Sequence, residues 1–417
     1  MDARLIFEDT GSSLIYMERY VNDGSPSGWT KLRSTSKETS PFSGREFFPL
    51  LLFSDADLQC EIIGEQNPLL SSKINYAHPD SIQSTVLQEA NRKLLNSEVF
   101  VAPTSGGRTM FILKPEVKGF LKLTYDVGRI GRVDRQLTLN HCLSSYEVSE
   151  TIKKCIDAGQ YPDTFALLLE SSGKVSHLIS KSGIYEWGTM YRELTPYPYV
   201  SERRQIIPGF SLFGKDHYNK ESINDEVLIN QFIELSGSSP MDYLLNVLKI
   251  TVDAWFGTLL NCSFILETHG QNCYYEINDN FQITRIVIKD MDSVDKDITL
   301  AEKLGLNTKW ASYPFACFYE SEPENVPWYY KIRPSYMYDF KLGTYIFDPL
   351  VEAVCCKFNL NKQFFSDKIK QYVNEKYMDS IPDGYFPENG CWYYCNNDER
   401  KPGERRKYYS RPNPKYR

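Results

Sequence analysis

The sequence predicts an α+β fold, with a mostly antiparallel sheet and helices packed around it. Two observations predict it. Short β-rich runs at 99–102, 110–113 and 120–125 follow one another closely, while helical periodicity occupies separate stretches before and after them. Further on, Asn278-Asp279-Asn280 supplies the turn chemistry that joins two apolar runs as a hairpin.

In chain order, residues 1–74 read as a small mixed unit. Strands are expected at 5–7 and 50–53, and a Ser/Thr/Gly/Pro-rich loop from 23 to 44. Ile82, Val86, Leu87, Ala90 and Leu94 recur at helical spacing and predict a helix over 80–96. After the β-rich runs come a helix at 146–158, a strand at 165–169 with Glu170 as its charged end, a strand at 188–194 and a short helix at 225–235. The clearest helix spans 243–260. Leu244, Val247, Leu248, Val252, Trp255, Phe256 and Leu259 make it apolar nearly all round, so it belongs in the core. Strands at 262–266, 273–277 and 283–289 follow, then helices at 349–357 and 363–376. There is no internal repeat and no low-complexity tract.

Composition narrows the function classes. With 41% hydrophobic and 24% charged residues the chain has ordinary globular composition, and its length suggests roughly two or three domains. No apolar run reaches the roughly 18 residues of a membrane span, so no membrane partner is expected. The opening Met1-Asp2-Ala3-Arg4 does not read as an export signal. The ten cysteines are therefore expected to be reduced thiols of a cytoplasmic protein. Cys355-Cys356 and Cys391/Cys395 lack a histidine nearby and the spacing of a zinc ribbon, which favours ordinary thiols. His141, His177 and His217 have no constellation around them and read as structural. A net charge of −7 argues against general nucleic-acid binding. The tail, residues 400–417, is the exception: eight Lys or Arg against the single acid Glu404, interleaved with Tyr408, Tyr409 and Tyr416. It leaves an RNA or anionic partner open beside the plainer reading of a tail lying over the protein.

Two clusters carry chemistry. In the first, a strand delivers Glu267, His269, Gln271 and Asn272 into a bend at Gly270, and a hairpin returns to Lys289-Asp290-Met291-Asp292. Strand alternation would put Asp290 and Asp292 on one face. The oxygen donors Glu267, Asn272 and Asp290 suit Mg²⁺, and His269 could donate to a phosphate or a reacting carboxylate. A solvated polar hairpin explains the same residues equally well. In the second, Pro103-Thr104-Ser105-Gly106-Gly107-Arg108-Thr109 is a glycine-containing loop whose backbone N–H groups could cradle phosphates. Lys122, Arg129, Arg132 and Arg135 lie downstream. It is not a Walker A loop, since no Gly-Lys-Ser/Thr closes it. A surface turn with a solvated basic strand is the alternative.

Taken together and in order, these segments resemble the siderophore synthetases that work independently of nonribosomal peptide synthetases, the aerobactin-synthetase type. The resemblance covers about residues 74–295. It is carried by Tyr76-Ala77-His78-Pro79, Thr104-Ser105-Gly106-Gly107-Arg108-Thr109, Leu121-Lys122-Leu123-Thr124 with Arg129-Ile130 and Arg135, Tyr191-Arg192-Glu193, Glu267-Thr268-His269-Gly270-Gln271-Asn272, and Asp290 with Asp292. Gly106 stands where that family's loop serine is expected, and Asp80 replaces a tryptophan.

The resemblance implies a nucleotide cleft built like fingers and a palm, with a reduced N-terminal region (1–74), a nucleotide-binding region (75–240), and a palm-like region with the basic tail (241–417). It implies an ATP- and Mg²⁺-dependent ligase acting through an acyl-adenylate, with a carboxylic acid and an amine, hydroxylamine or alcohol as partners. His78, Ser105, Arg108, Thr109, Lys122, Arg135, Gln271, Asn272 and Asp292 would hold the nucleotide; Glu267, Asn272 and Asp290 the metal; His269 and Arg135 would act on the reacting carboxylate. A homodimer stays open. So do two other readings, a non-catalytic scaffold subunit and an ATP-dependent ligase or kinase forming an acyl phosphate.

Overall fold

The computed structural model describes the chain apart from residues 8–9, 23–35, 43, 71–72, 115, 131–132, 182, 219–225, 313–315, 318–332, 388–389 and 395–407. Most of the expected loop at 23–44, together with Arg132, Cys395 and residues 400–407 of the basic tail, lies outside the described residues.

In chain order the first strands are β1 (Phe48–Ser54), β2 (Cys60–Gly64), β3 (Ile74–Ala77), β4 (Leu95–Pro103), β5 (Thr109–Ile112) and β6 (Gly119–Leu123). A hairpin of β7 (Tyr125–Ile130) and β8 (Val133–Arg135) follows, then β9 (Phe165–Leu167), β10 (Ser172–Ser180) and β11 (Gly183–Glu193). Eight of these form one sheet in the order β2-β10-β11-β6-β5-β4-β1-β3, antiparallel at every pairing. A second sheet takes β12 (Arg204–Pro208), β14 (Cys273–Asn278) and β15 (Ile283–Ile288) with β9, in the order β12-β14-β15-β9. Here β9 runs parallel to β15. The short β13 (Phe264–Ile265) pairs with β16 (Asp295–Asp297).

Helices α1 (Thr10–Tyr20), α2 (Thr85–Glu89), α3 (Leu139–Asp157), α4 (Leu228–Ser236) and α5 (Pro240–Cys262) precede the C-terminal group. That group is α6 (Ile298–Lys303), α7 (Arg333–Ser335), a π-helix at Tyr336–Phe347, α8 (Asp348–Phe358) and α9 (Lys362–Lys376). The central helix α5 begins at a Ser239 cap with Pro240 in its first turn. Among the described residues it is the one helix long and apolar enough to cross a membrane, yet 67% of its apolar window is buried inside the protein. Its Leu248, Trp255 and Phe256 are fully buried in a core that also takes Ile286, Tyr338, Ile369 and Tyr385.

Several expectations change. Residues 5–7 lie in a 3-10 helix, Ala3–Phe7, because Ala3 and Ile6, three residues apart, both enter the core. A three-residue apolar run does not distinguish strand from helix. The helix expected over 80–96 splits into a 3-10 turn, Pro79–Gln83, and α2. Ser84 between them is extended, and its hydroxyl caps α2 by accepting from Leu87 N–H. Leu94 and its neighbours then lead into β4. The helix expected at 146 begins at Leu139, where Thr138 and His141 form a reciprocal capping box. Strand β10 carries polar residues inward. Its Lys174 and Ser176 are buried and bond to Asp55, Asn75 and the Ile74 carbonyl, so apolar alternation could not reveal it. The tail's last residues lie on the body: Tyr416 donates to Asp348 (2.7 Å) and Arg417 pairs with Asp339 (2.8 Å). The eight cysteines whose side chains are described are free thiols.

Leu248→Ala should lower the unfolding free energy by about 3 kcal/mol, the usual cost of a buried large-to-small change. Urea denaturation followed by tryptophan fluorescence measures it.

Candidate functional site

The site is built where β15 ends. Lys289 N–H donates to the Asn272 carbonyl (3.0 Å), so the hairpin returns beside the Glu267–Asn272 bend. Asp290 then turns left-handed (φ 72°, ψ 63°) and residues Met291–Ser293 make one 3-10 turn. Asp290 and Asp292 therefore converge through a tight turn, not through strand alternation as expected. A left-handed non-glycine residue is strained, though aspartate tolerates it better than most. Three anchors hold the turn: Met291 N–H donates to Glu170 Oε2 (3.1 Å), Lys122 Nζ reaches Asp290 Oδ1 (2.5 Å) and Asp292 Oδ1 (2.6 Å), and Arg192 Nη2 reaches Asp290 Oδ1 (2.7 Å).

Lys122 projects from β6 and Arg192 from β11 of the large sheet, whereas the two aspartates follow the small sheet. Arg192 is also paired with Glu170, and Arg108 lies 3.8 Å from Asp292. Burial raises the Asp290 carboxyl, but the Lys122 and Arg192 charges outweigh that and hold it well below the usual range. Burial likewise lowers Lys122, and its two aspartates more than restore it.

The bend is tied to the turn by Asn272, whose Nδ2 donates to the Glu267 carbonyl and to Ser293 Oγ (both 3.2 Å). Gly270 is required there, since a Cβ would sit 2.8 Å from the Phe210 nitrogen of a crossing segment. His269 is buried, and burial pulls its pKa down to about 4. Its Nδ1 accepts from Gln271 N–H (3.2 Å), which leaves the proton of the neutral ring on Nε2. Burial raises Glu267, but Lys341 at 2.8 Å and His269 bring it to about 2.

The glycine loop lies against this bend. A Cβ on Gly106 would be 3.6 Å from the Gln271 side chain. Gly107 takes φ +71°, which closes the turn. The expected cradle of backbone N–H groups is not formed. Ser105 N–H donates to Glu18, Gly106 N–H to Thr104 Oγ1 and Gly107 N–H to the Thr104 carbonyl. What the loop offers a phosphate is side chains, Arg108 and Thr109. Arg108 also donates to the Arg135 carbonyl (2.8 Å), which brings Arg135 to the loop. His78 is fully buried beneath it, accepts from Asp80 N–H (3.1 Å), and has its pKa lowered by burial to about 4.

Sequence reading missed four participants. Glu170 showed only as a charged strand end and Arg192 as part of a matched strand. Lys341 sits on the π-helix and Glu18 on α1, where no local pattern marked either. His141, read as structural, does cap α3; its pKa is lowered first by burial, and Asp292, Arg108 and Lys122 also act on it.

The sequence matches no family model and no curated protein. Solved structures do match. ATP-bound aerobactin synthetase IucA from a hypervirulent pathotype of Klebsiella pneumoniae is similar with a TM-score of 0.70 and 13% identity, over 99% of this chain and 79% of that one. Petrobactin biosynthesis protein AsbB from Bacillus anthracis str. Sterne gives 0.67 and 13%, over 88% and 68%. Aerobactin synthetase IucC from the same Klebsiella pathotype gives 0.57 and 13%, over 84% and 65%. The chain shares the fold of these three proteins. At this identity the likeness fixes the architecture, and the chemistry rests on the residues.

On this shared fold the magnesium site that the sequence resemblance implies can be tested by its donors. No group of three or more His, Cys, Asp or Glu side chains gathers as a metal cage among the described residues. Glu267 and Asp290 keep 23% and 26% of their side-chain surface accessible, and Asn272 adds a neutral oxygen. In donor type these residues suit Mg²⁺, which uses one or two carboxylates and completes its shell with water and phosphate oxygens; here Glu267 is paired with Lys341 and Asp290 with Lys122 and Arg192.

Lys122→Met should cost about 3 kcal/mol, because Asp290 and Asp292 lose their shared cation; urea unfolding checks it. The depressed pKa values set the acid response. His78 and His269 contribute stability that is complete above about pH 6.5 and lost as pH falls towards 4. Glu267 contributes stability complete above about 4.5 and lost towards pH 2. The urea midpoint should fall in that order, and His269→Gln should flatten the upper part of the curve.

Proposed function

We propose that this chain is an ATP-dependent ligase that joins a carboxylic acid to an amine, hydroxylamine or alcohol through an acyl-adenylate, in siderophore or related natural-product biosynthesis. The observation that carries this reading is the convergence of Lys122, Arg108, Asp290 and Asp292 with the His269 bend on a siderophore-synthetase fold. A cytoplasmic location, where ATP is available, is part of the same reading, as is the division into regions 1–74, 75–240 and 241–417.

Arg108, Thr109, Lys122 and Arg135 would bind the phosphates, with Gln271, Asn272 and Asp292 orienting them and His78 supporting the loop from below. Glu267, Asn272 and Asp290 would hold Mg²⁺, which would supply positive charge to neutralise the phosphate oxygens. His269 is neutral at physiological pH because its pKa lies near 4. It would therefore act as a hydrogen-bond donor from Nε2, stabilising the oxygen on which negative charge develops as the adenylate forms and as the nucleophile attacks it. Arg135 would complement that charge. In a buried site such a donor is worth about 10²–10³ in rate.

Purified protein, ATP, Mg²⁺ and a panel of carboxylic acids, with hydroxylamine as trap, should yield AMP, pyrophosphate and a hydroxamate. His269→Ala should lower turnover at least about 100-fold while ATP still binds. ADP in place of AMP would transfer the assignment to acyl-phosphate chemistry, and no ATP binding would leave the scaffold reading.

A further inference from the structure

Glu18 is a buried carboxylate that the proposed reaction does not use. It sits near the end of α1, 1% exposed, and joins two parts of the site. Its Oε2 accepts both donors of Ser105, the backbone N–H at 3.0 Å and the hydroxyl at 2.6 Å. Its Oε1 accepts from Tyr274 OH (2.6 Å) and lies 3.5 Å from Lys289 Nζ. Lys289 in turn donates to Tyr274 OH (3.0 Å) and lies over that ring. Lys289 immediately precedes Asp290, and Ser105 opens the loop that carries Arg108 and Thr109.

Ser105 is itself 1% exposed. A serine has one hydroxyl proton and one amide proton, and both point at Glu18. It therefore has no donor left for a phosphate. A bare carboxylate this close to a phosphate site would repel its ligand; Lys289 cancels that charge locally. Burial raises the Glu18 carboxyl, but Lys289, Ser105 and Tyr274 outweigh it and keep it ionised.

Resting on the nucleotide reading above, we propose that Glu18 is a positioning residue that fixes the 104–109 loop against the Asp290 turn, and that Ser105 is the loop's anchor to it, not a nucleotide ligand. A segment outside both sheets would thus set the spacing between the phosphate-binding loop and the aspartate pair.

A double-mutant cycle tests this with Glu18→Gln, Ser105→Ala and the double variant. Two quantities are read: hydrogen–deuterium exchange of the 104–109 amides, and the KM for ATP alongside kcat. If the proposal holds, each single change speeds exchange across 104–109 and raises the KM for ATP about tenfold, with kcat at saturating ATP within about twofold. The double variant should be no worse than the worse single one, because residues acting through one contact are not additive. Additive effects, or unchanged loop exchange in Glu18→Gln, would overturn it. Should wild-type protein bind no ATP, the nucleotide reading fails, while the exchange data still decide whether Glu18 holds the loop. Ser105→Ala removes a single oxygen and keeps the test available if Glu18→Gln does not fold.

Discussion

Lys122 between Asp290 and Asp292 is the contact on which the site depends. It joins the large sheet to the turn that follows the small one, at 2.5 and 2.6 Å and with the lysine 3% exposed. Arg192 repeats the connection one strand away and adds Glu170, which also receives the Met291 amide. Without these cations the left-handed Asp290 would keep only the Met291–Glu170 bond against its strain, and two acids would face each other in a poorly solvated space. The pairs are weak evidence for overall stability, since desolvation offsets much of their attraction. Their effect is geometric: they fix where the aspartates stand relative to the Arg108 loop.

Around this contact the charges are nearly balanced, and the balance determines what each group can do. His269 is kept neutral by burial and given one tautomer by the Gln271 amide. It can donate without bringing a charge that would compete with the nearby lysines. Glu267 is kept ionised against burial by Lys341, so an anionic oxygen remains at the bend. The glycine loop departs from the familiar phosphate cradle. Its amides close the loop upon itself and upon Glu18, so in the proposed reading recognition would fall to Arg108 and Thr109. A guanidinium and a hydroxyl on a rigid turn present fewer donors than a nest of amides, but in fixed directions.

Much of this was legible in the sequence. The apolar girth of residues 243–260 marked the core helix, and Asn278-Asp279-Asn280 marked the hairpin. Lys122, Arg108, Asp290, Asp292 and the Glu267–Asn272 bend stood out as residue types with shared chemistry in a matching order. Helix boundaries were less legible where a single hydroxyl decided them: Ser84 splits one expected helix, and Thr138 starts another a full two turns early. Strand β10 was illegible because polar Lys174 and Ser176 are buried among its apolar residues and satisfied by partners about 100 residues away in sequence.

The sequence by itself determined the fold class, the central helix and the inventory of reactive side chains, because periodicity and turn chemistry are local properties. Only the tertiary structure decided which of those side chains meet. Glu18 and Ser105 are 87 residues apart and Lys122 and Asp290 are 168 apart. No local pattern encodes such separations. They are set by how the two sheets stack, and by burial, which makes an unpaired charge too costly to leave alone.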